Sequence, residues 1–276
     1  MTRIAQLPVR GVIEVAGDDR IAFLQGLVSN DVAQVAPGQA VWAALLTPQG
    51  KWLADFFILS DGDRLLLDVE RAQAPGLVQR LSRFRLRAKV IVSDLSAALH
   101  VHVAWGEAPE GLPQDVIIAP DPRLPEAGWR VLAPMALPAT DTAAAWDAHR
   151  LALGLPDGSA DMEAEKSVLL EAGFDELHGV SWTKGCYLGQ ELTARTKYRG
   201  LVKRRLVPVA IDGPTPPPGT PVLRDGAEVG AMRSARDGLG LAQLRLDALG
   251  ETNLRCGEAV LTPRVPGWMA VPLAAQ

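Results

Sequence analysis

The chain has 276 residues, 48% hydrophobic and 22% charged, with a formal net charge of −4. That excludes global disorder and is more chain than one small core needs, so two or three subdomains are expected. The acidic balance argues against a general nucleic-acid binder, since any polyanion would have to be met by a local patch. Two cysteines, Cys186 and Cys256, are too few for a disulfide framework and not spaced as a zinc site, so a reducing compartment is expected. The N-terminus has no apolar core of signal-peptide length, and no window has the apolar length of a membrane helix. A soluble, cytoplasmic monomer without a membrane partner is the expectation.

In chain order, residues 9–15 read as a strand ending at Gly17. Asp18 is the expected N-cap of a helix striped by Ile21, Leu24, Leu27 and Val28. Residues 41–46 and 51–59 read as strands flanking Thr47-Pro48-Gln49-Gly50, followed by a strand over 64–69 and a helix over 74–82. Residues 83–90 alternate with period two, which predicts a strand with Arg83, Arg85, Arg87 and Lys89 on one face. No acid intervenes before Asp94, so that face is either solvated or turned to an anion. His100 and His102 fall on one strand face without a co-ligand at metal spacing, and no metal site is assigned.

The proline-rich stretch 106–138 reads as short strands and long turns. A helix over 142–153 is capped by Asp141 or Thr142 and stopped at Gly154-Leu155-Pro156. Residues 163–177 are less regular. A strand over 205–211, a proline-stiffened connector over 213–219 and short strands thereafter read as a small barrel.

Lys184-Gly185-Cys186-Tyr187-Leu188-Gly189-Gln190-Glu191 gathers an ammonium, a thiol, a phenol, an amide and a carboxylate between two glycines. A neighbouring cation favours the thiolate, and a helix starting after Gly189 would add partial positive charge. Cys186 then suits a nucleophile, a redox thiol or a soft ligand, although one thiol cannot hold an iron–sulfur cluster alone. The plain alternative is a buried cysteine at a turn–helix junction. The run from Arg195 to Arg205 carries six cations and no acid, with Tyr198 inside it, and could track a phosphate backbone.

The octapeptide resembles the signature of the YgfZ-type folate-binding proteins of iron–sulfur cluster assembly, relatives of the glycine-cleavage T protein. The segment from Gly17 to Gly26 with Ser29-Asn30-Asp31, the turn Leu46-Thr47-Pro48-Gln49-Gly50-Lys51, the run from Arg150 to Pro156, and Gly179-Val180-Ser181-Trp182-Thr183 match the family in order. The resemblance implies an α+β, three-subdomain cloverleaf with a central folate-binding channel and a C-terminal β-barrel. Its subdomains would be 1–46 plus 141–202, 47–140, and 203–276. It implies tetrahydrofolate as cofactor, chemistry at Cys186, and cofactor binding by Asn30, Asp55, Lys184, Tyr187, Gln190, Glu191 and Arg195. In that reading Glu191 and Gln190 match a pterin edge and Tyr187 offers a flat face. Arg195, Lys197 and Arg199, or the cations of 83–89, would receive the glutamate tail. Glu191 also reads simply as a helix N-terminal acid.

The chain departs from the aminomethyltransferase relatives, which carry two adjacent acids where Ala54-Asp55 stands and Asp-Phe-Ile-Gly where Cys186-Tyr187-Leu188-Gly189 stands. Those changes favour the YgfZ branch. The expected function is a folate-binding accessory to cluster assembly or repair in client enzymes, tRNA-modifying ones included. A folate-dependent aminomethyltransferase and an RNA- or protein-binding adaptor are the alternatives.

Overall fold

The computed structural model describes residues 1–271. They divide into two compact units. The first joins Met1–Pro48, Leu53–Trp146 and His178–Gln190, and the second joins Gln49–Trp52, Asp147–Leu177 and the chain from Glu191 onward.

The first unit carries β1 (Arg3–Gln6), β2 (Arg10–Ala16), α1 (Arg20–Gln25), β3 (Val41–Leu46), β4 (Trp52–Asp61), β5 (Arg64–Glu70), α2 (Ala74–Phe84), β6 (Ile91–Asp94), β7 (His100–Trp105), β8 (Ile117–Pro120) and β9 (Trp129–Ala133). One sheet has the order β3-β4-β5-β2-β6 and the other β1-β7-β9-β8. Strand alternation divides the five-stranded sheet into two chemically different faces. Val41, Ala43, Leu45, Ala54, Phe56, Ile58, Leu65 and Leu67 form one apolar core with Phe23 and Leu24 of α1 and Leu77 and Leu81 of α2. The alternate positions Trp42, Asp55, Phe57 and Asp68 are buried too, among the arginines Arg10, Arg123 and Arg130. Asp68 accepts from Arg10 Nε and Arg130 Nε, each at 2.8 Å, and Asp121 accepts from Arg123 Nε at 3.0 Å and Nη2 at 2.8 Å. All three guanidiniums lie over the Phe57 ring, at 4.4, 4.8 and 5.9 Å from its centroid. Paired charges stacked on aromatic faces are what allows arginine to be buried.

Two local expectations are corrected. The α1 N-cap is Asp19, not Asp18, and the helix ends at Gln25, so Ile21 is exposed while Leu24, Leu27 and Val28 are buried. Residues 83–90 are not a strand. Arg83 and Phe84 finish α2, Arg85 caps it, and Leu86 turns the chain with φ +44°. The Ala88 N–H then donates to the Arg85 carbonyl at 2.7 Å. The four cations therefore share no strand face. His102 is buried in β7, and its Nε2 accepts from the Leu137 N–H at 3.1 Å.

The second unit carries most of α3 (Ala143–Leu153), α4 (Gly158–Asp161), α5 (Gln190–Tyr198) from its second residue, and β10 (Arg204–Asp212), β11 (Pro221–Arg224), β12 (Ala227–Arg236), β13 (Leu239–Arg245), β14 (Leu254–Cys256) and β15 (Ala259–Pro263). The six strands close as a barrel in the order β10-β13-β12-β11-β14-β15. Val207, Val209, Val222, Met232, Leu244, Cys256 and Leu261 fill it. The fold is thus α+β with a closed C-terminal β-barrel. Buried Arg150 of α3 bonds Asp147 at 2.7 Å and Asp161 at 2.6 Å, and Asp161 also accepts from the Ser234 N–H of β12. Among the described residues, no helix is long and apolar enough to cross a membrane.

Candidate functional site

The signature octapeptide is a turn followed by the start of α5. Gly185 has φ +94° and Gly189 φ +81°, values that an L side chain rarely adopts, so both positions need glycine. Between them Cys186 is exposed and Tyr187 is buried. The Leu188 N–H donates to the Gly26 carbonyl at 3.1 Å, and the Gln190 side-chain oxygen accepts from the Tyr187 N–H at 3.1 Å. One half of the Gln190 amide is thereby spent on shaping the turn.

The segment after α1 anchors this turn. Ser29 Oγ donates to the Gly179 carbonyl at 2.6 Å, and the Ser181 N–H donates to the Ser29 carbonyl at 3.0 Å. Asn30 Nδ2 donates to the Trp42 carbonyl at 2.8 Å and the His178 carbonyl at 2.6 Å. Lys184 Nζ donates to the Val28 carbonyl at 2.7 Å and to the Asn30 carbonyl, and stands 5.4 Å from the Tyr187 ring centroid. Asn30, Lys184, Tyr187 and Gln190 are thus brought together, but their polar atoms mainly build the turn. The Lys184 ammonium is committed to two carbonyls and the Tyr187 face, and Tyr187 is not an open stacking platform. Burial pushes the Lys184 amine down to about 8, against the pull of Asp31. Gln25 donates to Asp31 at 2.7 Å and is the main cause holding that carboxyl below its usual range.

A cleft of about 460 Å³ opens beside these residues, lined in part by Asn30, Gln34, Gln39, Pro120, His178 and Ser181. His178 adopts φ +57°, an uncommon backbone for a non-glycine residue. Asp55 lies on β4 and is linked to Asn30 through Trp42. Its carboxylate is buried and accepts from the Trp42 indole N–H at 2.9 Å.

Glu191 and Arg195 belong to the second unit and are paired with one another across one helical turn, with Glu191 83% exposed. Each is the other's partner, so the pair presents no uncompensated charge. Of the basic run, Lys197 bonds Asp175 at 2.8 Å and buried Arg205 bonds Glu176 at 2.6 Å. Those pairings interrupt the run that could have tracked a phosphate backbone.

The sequence reading missed Glu171. It sits in a 3₁₀ turn, Leu169–Ala172, and lines a cleft of about 390 Å³ within the second unit. Lys51, Lys203, Arg204, Arg233 and Gln243 line the same cleft. Gln243 Nε2 donates to the Glu171 carboxylate at 3.1 Å. Burial pushes the Glu171 carboxyl up, while Arg204 and Lys51 pull the other way. Glu163 in the same cleft holds Lys166 at 2.9 Å and Arg233 at 2.6 Å. The only hint in the sequence was a lone acid inside the apolar run 168–172. Chemically, the cleft offers a partly desolvated acceptor surrounded by cations.

Residues 203–271 match the family model described as the CAF17 C-terminal beta-barrel domain. The chain is 39% identical over 79% of its length to the mitochondrial iron–sulfur cluster assembly factor IBA57 homolog of Mycosarcoma maydis, of which it spans 60%. It is 32% identical over 98% of its length to mitochondrial IBA57 of Mus musculus, covering 86% of that protein, and 31% identical over 95% to the Homo sapiens protein, covering 84%. Among solved structures it resembles the glycine cleavage system aminomethyltransferase T of Bartonella henselae. The TM-score is 0.76 at 16% identity, covering 96% of this chain and 85% of that one, a likeness of fold. The expected cytoplasmic setting is corrected by these relatives, which are named as mitochondrial proteins. A count of two cysteines does not distinguish one reducing compartment from another.

Proposed function

The chain belongs to the IBA57 family of iron–sulfur cluster assembly factors, and from that premise we propose that it binds tetrahydrofolate in the Glu171 cleft while presenting Cys186 to the assembly of clusters in client enzymes, tRNA-modifying ones among them. The observation that carries the folate reading is the chemistry of that cleft. A pterin edge offers an N–H and an amino group, and a carboxylate can accept both. Glu171 is a partly buried carboxylate, and buried hydrogen bonds to charged groups are the stronger ones. The Gln243 amide, bonded to Glu171 and Arg233, fixes the carboxylate in place, and Lys51, Lys203 and Arg204 suit an anionic glutamate tail. These donors and acceptors fit a folate better than the exposed, self-paired Glu191 and Arg195. Folate, when bound, supplies a carrier for one-carbon units. The chain's own residues hold and orient it and leave the Cys186 thiol exposed at the signature turn.

A transferase reading has less support. Asp55, the remaining acid of the pair that the aminomethyltransferase relatives carry, is buried and bonded by Trp42. Proton handling requires a group within reach of the reacting atom.

Calorimetric titration of tetrahydrofolate against wild type, Glu171→Ala and Glu191→Ala tests the proposal. Saturable binding that weakens by about tenfold or more in Glu171→Ala alone supports it. Affinity unchanged in Glu171→Ala removes the cleft from consideration.

A further inference from the structure

The turn after α2 combines exposed apolar side chains with concentrated positive charge. Leu86 is 91% exposed, Ile91 61% and Phe84 39%. Arg80, Arg83, Arg85, Arg87 and Lys89 surround them, all exposed. Little within the unit neutralises these cations. The Lys89 ammonium stands 3.9 Å from Asp18, both well exposed, and Arg85 Nη1 makes a long 3.4 Å bond to the Val90 carbonyl. The chain from Arg85 to Ile91, with Gly17 and Asp18, lines a concave surface of about 520 Å³.

Leu86 carries the argument further. Its backbone has φ +44°, a conformation that glycine adopts freely and a γ-branched residue does not. Its side chain gains nothing in return, because it is almost wholly in water. An exposed leucine at the tip of a turn that would suit glycine fits a residue held for contact with a partner. The turn is held by the bond from the Ala88 N–H to the Arg85 carbonyl and by the Lys89 N–H, which donates to Asp19 at 2.7 Å.

We propose that this surface docks an acidic, amphipathic segment of a partner protein, with Leu86 and Ile91 meeting its apolar side chains and the arginines its carboxylates. Charge complementarity selects the acidic class, since five exposed cations with little neutralisation stand together here in a chain of net charge −4. The concavity favours a protein segment over a bilayer surface. Interfacial membrane-binding helices present a continuous apolar face along their length. Here three apolar side chains stand at a turn.

The test is fluorescence anisotropy of the full chain with a short labelled peptide of glutamates interspersed with leucines. A serine-for-leucine version of the peptide and phosphatidylglycerol-containing phosphatidylcholine vesicles are the comparisons. Saturable peptide binding is expected at low salt. It should weaken by about tenfold in Leu86→Gly, which keeps the turn and removes one buried leucine's worth of contact. It should also weaken by about tenfold or more in Arg83→Glu with Arg87→Glu, and as salt rises from about 50 to about 300 mM. No binding at low salt, equal affinity for wild type and both variants, equal affinity for the serine peptide, or preference for vesicles would each overturn the proposal.

Discussion

The Lys184 ammonium donates to the Val28 carbonyl across 2.7 Å, which ties the start of the signature turn to the chain just after α1. The bond holds a cation in a partly desolvated place, and burial lowers its proton affinity to about 8. The linkage sign follows. Below about pH 8 Lys184 is protonated in both folded and unfolded chains, and the cost of burying its charge is fully present. Between about 8 and 10.5 it is neutral when folded and protonated when unfolded, so its contribution to stability rises with pH. Urea unfolding of wild type against Lys184→Met should show the wild type gaining over that window. Competitive acylation should give Lys184 a midpoint near 8. A midpoint at the ordinary lysine value would show the ammonium to be solvated.

Glu171 and Glu191 should behave oppositely. Glu191 is exposed and, among the described residues, paired with Arg195, so Glu191→Ala should change stability by at most about 0.5 kcal/mol and leave tetrahydrofolate affinity unchanged. Glu171→Ala removes a partly buried acceptor and should cost about 1.5–3 kcal/mol of folate binding. Because burial raises the Glu171 carboxyl, affinity should begin to fall at a higher pH than an ordinary glutamate would dictate as the solution is acidified. Titrations at several pH values check both parts, and equal losses in the two variants would contradict the assignment.

The strands around Trp42, Phe57 and Leu67 were legible because apolar residues on both faces leave a continuous β-branched and aromatic signal bounded by turns. The barrel was legible from evenly spaced turns. Residues 83–90 were not, because alternating arginines follow period two whether they lie on a strand or straddle a helix end and a turn. Only the left-handed Leu86 distinguishes these, and no local propensity announces it. Arg10, Arg123 and Arg130 were invisible as core residues, since arginine is rarely buried and its partners Asp68 and Asp121 are far off in sequence or hidden in a proline-rich loop. The signature gave the place of the exposed thiol. It did not give the carboxylate of the second cleft, which becomes recognisable only when the 3₁₀ turn sets it among cations.

The layer around Phe57 should be the first unit's most sensitive point. Phe57→Ala leaves a cavity and removes the ring face from three guanidiniums, and should cost about 3–5 kcal/mol. Phe57→Leu restores much of the volume without the π face and should fall between. Arg130→Met leaves Asp68 with Arg10 alone and should also cost about 3–5 kcal/mol, the loss typical of breaking a buried pair from one side. Denaturation midpoints followed by tryptophan fluorescence, which Trp42 would report, measure all three. A midpoint unchanged in Arg130→Met would mean that water enters the layer.

Cys186 and Cys256 offer a contrast within one chain. Cys256 lies in the barrel core, burial raises its thiol pKa, and its Sγ faces the Thr220 carbonyl at 3.7 Å. Cys186 is exposed at the tip of a turn whose shape is fixed by Gly185, Gly189 and the bond between the Tyr187 N–H and Gln190. Iodoacetamide should therefore modify Cys186 in the folded protein and reach Cys256 only on unfolding, which peptide mass mapping would resolve. Because no packing depends on the exposed thiol, Cys186→Ser should retain the wild-type unfolding midpoint and tetrahydrofolate affinity. The same variant removes soft-ligand and redox chemistry and should fail to support iron–sulfur enzymes in cells lacking the native protein. Full support by Cys186→Ser would refute a thiol role and shift attention to the Glu171 cleft. A variant that failed to support those enzymes and also unfolded would instead show the signature turn to need the thiol for its own structure.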